Sequence, residues 1–267
     1  MLDKSTLIGE LKSATTVSAE EVARFDSLAK TWWDPNGKFK TALLFNETRL
    51  RYMLPAICDH FGRISQTERP LTDLSIVDVG SGGGLISEPL AQAGADVTGI
   101  DASSMSIEVA RRHALLTNTE LNYRHCLSSD LVAEGQQFDV VINAEVVEHV
   151  PDQQQLINEC CQLVKPGGML ILATLNRTVK SMLVAIIGAE YVLKYLPKGT
   201  HDWNYFVKPS ELTSMAECNN LTLMQETGMA FNPLSKKMAT HLRYVSQLYS
   251  VLFQRVRITT SSIYILL

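Results

Sequence analysis

The 267-residue sequence is short of several things, and each shortage removes a class of function. It has no basic excess: 24 Lys and Arg face 28 Asp and Glu, for a formal net charge of −4. No electrostatic footprint for nucleic acid is left in that balance. There are only five cysteines (Cys58, Cys126, Cys160, Cys161 and Cys218), with no C-x-x-C pair and one left over. That count argues against a disulfide framework and reads as reduced, mostly buried thiols of an intracellular protein. No apolar run is long and charge-free enough for a convincing membrane span. Met1-Leu2-Asp3-Lys4-Ser5 carries neither the apolar core of a secretory signal nor the arginines of a transit peptide. Internal repeats and low-complexity linkers are also missing. What remains is the composition of a globular α/β domain with additions, long enough to bury a large core.

Against that plain background one stretch stands out: Ile76-Val77-Asp78-Val79-Gly80-Ser81-Gly82-Gly83-Gly84. A β-branched run ends in a cluster of glycines, and Leu85 to Ala91 reads as the start of a helix. Glycines at a strand-to-helix turn let backbone N–H groups approach a ligand, and the helix N-terminus adds partial positive charge. The spacing is G-x-G-x-G over Gly80, Gly82 and Gly84; a dinucleotide fingerprint counted from Gly80 would need glycine where Leu85 stands. The ligand expected is therefore a nucleoside other than NAD. Asp101 closes the next strand, about 20 residues beyond the glycines, where an acid accepts hydrogen bonds from ribose hydroxyls. Its alternative role is to cap the helix that follows.

Along the chain, Ser18 and Glu21 form a capping box for a helix over residues 18–33, which Asp34-Pro35-Asn36-Gly37 breaks. Asn46 is read as the cap of a second helix burying Leu50, Met53, Leu54 and Ile57, and spacing alone reads Arg49 as a solvated surface arginine. Further helices are expected over Ser104–Leu116 and 153–164, the latter ended by Lys165-Pro166-Gly167-Gly168. Strands are expected at 122–126, 138–143 and 169–174. Strands alternating with helices at this spacing build a mainly parallel sheet covered on both faces.

A second constellation lies where the fourth strand ends: Ala144-Glu145-Val146-Val147-Glu148-His149. Ligands bind at the carboxyl ends of such strands. A helical turn would put Glu145, Glu148 and His149 on one face. Three readings are open there. The residues hold a divalent cation; or His149 is a general base oriented by a glutamate; or they form a buried polar knot.

Asp78 to Gly84, Asp101, Glu148-His149-Val150 and Lys165-Pro166-Gly167-Gly168 together resemble a class I S-adenosylmethionine-dependent methyltransferase. More specific are Phe25-Asp26-Ser27-Leu28-Ala29 with Trp32-Trp33-Asp34-Pro35-Asn36-Gly37, then Thr174-Leu175-Asn176-Arg177, Gly188-Ala189-Glu190-Tyr191 and Pro197 to Asp202. These resemble the ubiquinone-biosynthesis O-methyltransferases over about residues 18–234.

The resemblance implies a Rossmann-like fold with a seven-stranded sheet, an N-terminal helical cap (1–70) and a methyltransferase domain (71–267). It implies S-adenosyl-L-methionine as donor and both O-methylations of the quinone head group, on a polyprenyl catechol precursor and later on the demethyl quinol. Arg49, Gly80, Asp101 and Ala144 would contact the donor, with Gly82 added by the glycine turn itself. Glu145, Glu148 and His149 would bind Mg²⁺, with His149 and Glu145 the catalytic pair. The apolar segment 177–200, bordered by lysines, would be a helical insertion touching a membrane interface. The protein would then sit peripherally on an inner membrane, on the bacterial cytoplasmic or the mitochondrial matrix side, beside other quinone-biosynthesis proteins. Residues 235–267 depart from the family: His241 to Arg257 reads as a basic amphipathic helix and 258–265 as a strand. Either that last strand supplies a missing sheet edge, or the sheet is incomplete.

Overall fold

The computed structural model describes residues 18–20, 22–23, 32–34, 40–175, 205–217, 219–232, 237–241 and 248–255. The apolar insertion expected over 177–200 and the strand expected over 258–265 lie outside them.

Five strands lie parallel: β1 (Ser75–Val79), β2 (Asp96–Asp101), β3 (Asn122–His125), β4 (Phe138–Ala144) and β5 (Val164–Leu175). Between them run α2 (Ser87–Gln92), α3 (Ser104–Leu116), α4 (Ser128–Ala133) and α5 (Gln153–Gln162), preceded by α1 (Lys40–His60). After β5 come α6 (Pro209–Glu217), β6 (Leu221–Asn232), β7 (Lys237–His241) and β8 (Leu248–Arg255). The sheet order is β3-β2-β1-β4-β5-β8-β6-β7. The order reverses at β1 and β4, so a crevice opens outside their carboxyl ends.

Alternation along the strands divides the core in two. Val77, Val79, Val141, Leu170 and Leu172 face one way with Leu131, Ile157, Cys160 and Leu212 of α4, α5 and α6. Ile76, Val97, Val140, Ile142 and Ile171 face the other with Met53 and Ile57 of α1 and Leu90 of α2. A strand buried on both faces reads as a continuous apolar run, as these do.

Three expectations are corrected. Helix α1 starts at Lys40, so Asn46 lies inside it; the Asn46 side chain accepts from Arg49 instead of capping. Asp152 caps α5, which ends at Gln162; Val164 already pairs with Phe138, and Lys165-Pro166-Gly167-Gly168 is absorbed as a break in register before Met169 pairs with Val140. The largest correction concerns the C-terminus. Leu248–Arg255 is not helical; it is strand β8, antiparallel to β5 on one side and β6 on the other. The sheet is thus completed from within, and β7 lies at its edge against β6. A short apolar run is ambiguous in period, and two strand edges with unpaired N–H and C=O groups decide it.

Candidate active site

The glycine turn forms because its backbone goes where side chains rarely can. Gly80, Gly82 and Gly84 have φ of 80°, 52° and 88°. The Gly80 and Ser81 N–H groups both donate to the Ile100 carbonyl at 2.9 Å, which ties the turn to β2. A Cβ on Gly80 would stand 2.2 Å from Cγ2 of Val146, so the turn after β1 and the turn after β4 pack directly on each other. Gly80→Ala combines a left-handed φ with that clash, and we expect it to destabilise the fold by about 1–3 kcal/mol, read as a lower melting temperature.

Beneath the turn, Asp78 is buried and accepts the Ser87 hydroxyl at 2.6 Å. Burial pushes its carboxyl up to about 6, with the Ser87 hydrogen bond opposing. Asp101 accepts the Gly82 N–H at 2.9 Å on one oxygen and the Ser103 N–H at 2.7 Å on the other. The helix cap is Ser103, whose hydroxyl accepts the Ser106 N–H at 3.0 Å. A carboxylate has about four lone-pair sites, so these two bonds do not exhaust Asp101.

At the end of β4 the chain turns sharply. Glu145 has φ of 61°, a left-handed conformation unusual for glutamate, and its N–H donates to the Ala173 carbonyl at 2.8 Å. Ala144 pairs with Ala173 in the last rung of the ladder and is partly buried. A 3-10 turn, Val147–His149, follows. Glu148 is 5% exposed; one carboxylate oxygen accepts the Thr174 hydroxyl at 2.9 Å, and the other is buried without a partner.

Arg49 is not the solvated surface residue that spacing suggested. It is 3% exposed, donates to Asn46, and pairs with Glu145 at 2.7 Å, joining α1 to the end of β4. Its Nε is buried without a partner. Desolvation pushes the Glu145 carboxyl up; Arg49 holds it down, Glu148 pushes it up and His149 holds it down. The four side chains therefore share one electrostatic neighbourhood.

Among the described residues, no group of three or more His, Cys, Asp or Glu side chains could hold a metal ion. The left-handed kink at Glu145 breaks the helical spacing that would have aligned Glu145 with Glu148 and His149, and Arg49 engages its carboxylate. The unpartnered oxygen of Glu148 is a feature that suits a cation.

Two features escaped the reading of residue spacing. Asn143, 1% exposed in β4, reaches the Val79 carbonyl at 3.4 Å and keeps its own side-chain oxygen buried and unpartnered. An asparagine ending a β-branched strand was the available signal. The second is Trp32 and Trp33, which lie against the glycine turn.

Comparison with known proteins narrows the chemistry. A family model described as a methyltransferase domain matches residues 77–172. A ubiquinone biosynthesis O-methyltransferase of Dinoroseobacter shibae is 47% identical over 234 residues, covering 88% of this chain and 94% of that one. One of Paramagnetospirillum magneticum is 51% identical over 220 residues, covering 82% and 88%. Among solved structures, magnesium protoporphyrin IX methyltransferase from Synechocystis with bound SAH aligns with a TM-score of 0.64 at 20% identity, over 95% of this chain and all (100%) of that one. At that identity the likeness is one of fold.

Proposed function

Since the chain belongs to the ubiquinone-biosynthesis O-methyltransferases, a family dependent on S-adenosylmethionine, we propose that it methylates a catechol-type hydroxyl of polyprenyl dihydroxybenzoate and demethylubiquinol intermediates. The observation that carries this reading is the convergence of the glycine turn, Asp101, Arg49 and the Glu145–His149 turn at one end of the sheet.

In this proposal the ribose of the donor hydrogen-bonds to Asp101, and the methionine part lies over Gly80, Gly82 and the backbone of Ala144. The donor carboxylate is taken by Arg49, a charge-assisted pair that suits a buried guanidinium. The phenolic oxygen then attacks the sulfonium methyl in line. The O–CH₃ bond forms as the S–CH₃ bond breaks, and the sulfur keeps the electron pair and becomes a neutral thioether.

The attacking oxygen has to lose its proton. An ordinary phenol has a pKa of about 10, so about one in a thousand is ionised at pH 7, a deficit of roughly 4 kcal/mol. His149 takes that proton as general base. Glu145 interacts with both Arg49 and His149, so it helps to balance the charge that the imidazole acquires. Orientation of the oxygen against the methyl group supplies much of the remaining acceleration.

Mg²⁺ is the finer part of the proposal. As placed, the three residues do not make a set of ligands, and Glu145 would have to leave Arg49 to join one. No step here is routed through a metal. Membrane contact by 177–200 is proposed likewise; no helix among the described residues is long and apolar enough to cross a membrane.

The test is methyl transfer from labelled S-adenosylmethionine to a short-chain prenyl catechol, with and without a chelator. Turnover is the expected result. Loss with chelator and rescue by Mg²⁺ would add the cation; equal turnover on an unprenylated phenol would remove the quinone substrate. Donor binding without transfer would leave a scaffold and overturn the activity.

A further inference from the structure

A run of three glycines, Gly82-Gly83-Gly84, is the least self-sufficient part of the donor site. Glycine loses more conformational freedom on ordering than any other residue, and it has no side chain with which to pack. Something else has to hold the turn in shape. Asp101 fixes it from the β2 side through the Gly82 N–H. On its other flank lie two indoles from the N-terminal part of the chain.

Trp32 lies along the turn: a Cβ on Gly82 would stand 2.8 Å from Cζ2 of its ring, and one on Gly83 would stand 2.5 Å from its Cγ. Its indole N–H reaches the Ser106 hydroxyl in the first turn of α3 at 3.4 Å. The Trp33 indole N–H donates to the Gly83 carbonyl at 2.8 Å. The Trp33 ring stacks on His113 of α3 with centroids 3.6 Å apart and planes within 1°. His113 in turn pairs through Nδ1 with the buried Glu88 of α2 at 2.8 Å, and the Thr117 hydroxyl donates to the same oxygen at 3.2 Å. The Glu88 N–H donates to the Gly84 carbonyl at 3.0 Å and closes the circuit back to the turn. Together the contacts link the two tryptophans, the turn, α2 and α3 to one another.

We propose that Trp32 and Trp33 are positioning residues of the donor site, holding the Gly82–Gly84 turn in its binding shape and walling its flank. The proposal rests on the reading that this turn receives S-adenosylmethionine. A turn ordered before the ligand arrives spares the ligand the cost of ordering it, so the effect falls on donor affinity rather than on the chemical step. Gly83 is glycine for the same reason: its φ is not left-handed, and what a side chain would meet there is Trp32.

The experiment is calorimetric titration with S-adenosylhomocysteine, paired with steady-state kinetics, on Trp32→Ala, Trp33→Ala, Trp32→Phe, Trp33→Phe and Gly83→Ala. Each alanine variant, Gly83→Ala included, is expected to raise the donor Kd and KM about tenfold or more while kcat at saturating donor stays within about threefold. Trp32→Phe is expected to recover most of the affinity. Trp33→Phe is expected to fall between, since it keeps the stack on His113 but loses the hydrogen bond to Gly83. Unchanged affinity across the set would overturn the proposal, and so would tighter binding in Trp32→Ala, which would mean that the indole occupies the donor's own place. If the tryptophan-to-alanine variants fail to fold, the two phenylalanine variants and Gly83→Ala decide it. Asp101→Ala is the separate control. If it too leaves affinity unchanged, the donor reading of the turn has failed; if it weakens binding and the tryptophan variants do not, only the positioning role has.

Discussion

His149→Gln is expected to lower kcat at pH 7 by about 10²–10⁴-fold and to leave donor Kd within about twofold. Glutamine keeps much of the side chain's bulk and polarity but cannot accept the phenolic proton. The substrate then reacts only through the fraction already ionised, roughly one part in a thousand at neutral pH. That gives the loss a signature. Turnover of the variant should climb about tenfold per pH unit and level off near pH 10, where the phenol ionises unaided. A variant misfolded at the Val147–His149 turn would lose activity without that climb. Turnover within tenfold of the parent at pH 7 would move the base elsewhere. Glu145→Gln should have a smaller effect on kcat, because in the proposed mechanism Glu145 acts on the charge of His149 and not on the substrate proton.

The second large effect is expected on binding. Arg49→Met removes a guanidinium that is 3% exposed and paired with Glu145 at 2.7 Å. In the proposed complex Arg49 pairs with the donor carboxylate, and truncating one partner of a buried charge pair costs about 2–5 kcal/mol, so the donor Kd should rise on the order of 100-fold, with the loss shared by every ligand that carries the methionine carboxylate. Adenosine, which lacks that carboxylate, should bind parent and variant alike. Equal losses for adenosine and S-adenosylhomocysteine would show that Arg49 supports the site's shape and does not take the carboxylate.

The same substitution has a consequence for stability. Desolvation already raises the Glu145 carboxyl above its unfolded value, and Arg49 is the main group opposing it. Without Arg49 the folded-state pKa rises further. A carboxyl raised on folding binds more protons in the folded chain than in the unfolded one, so stability falls as pH climbs from the unfolded value, about 4.3, through the folded value. Arg49→Met should therefore lose more melting temperature between pH 5 and pH 8 than the parent does. Adding Glu145→Gln should remove that extra pH dependence but not restore donor affinity.

Much of the site was legible in the chain because it depends on local chemistry. Gly80, Gly82 and Gly84 announce left-handed backbone, and all three have it. Asp101 at a strand's end announces a carboxylate beside that turn, and it accepts the Gly82 N–H. Helix α3 runs from Ser104 to Leu116, as expected. Arg49 was less legible. Helical spacing tells which residues share a face, but not which other element covers that face, and β4 happens to end there with an acid. The Glu145–His149 turn failed in another way: even spacing assumes a regular helix, whereas Glu145 is left-handed and the helical turn is a short 3-10 segment.

The C-terminus marks the boundary most clearly. From the sequence alone came the parallel half of the sheet, the glycine turn, the acid beside it and the reaction family, since each rests on short-range patterning or on motifs. Only the tertiary structure decided that Leu248–Arg255 is a strand between β5 and β6, that Arg49 is buried against Glu145, and that Trp32 and Trp33 lie against the glycines. The physical reason is common to all three. A strand edge, a buried charge and a bare backbone turn each need a partner from another element, 96 residues away for Arg49 and Glu145 and 50 for Trp33 and Gly83.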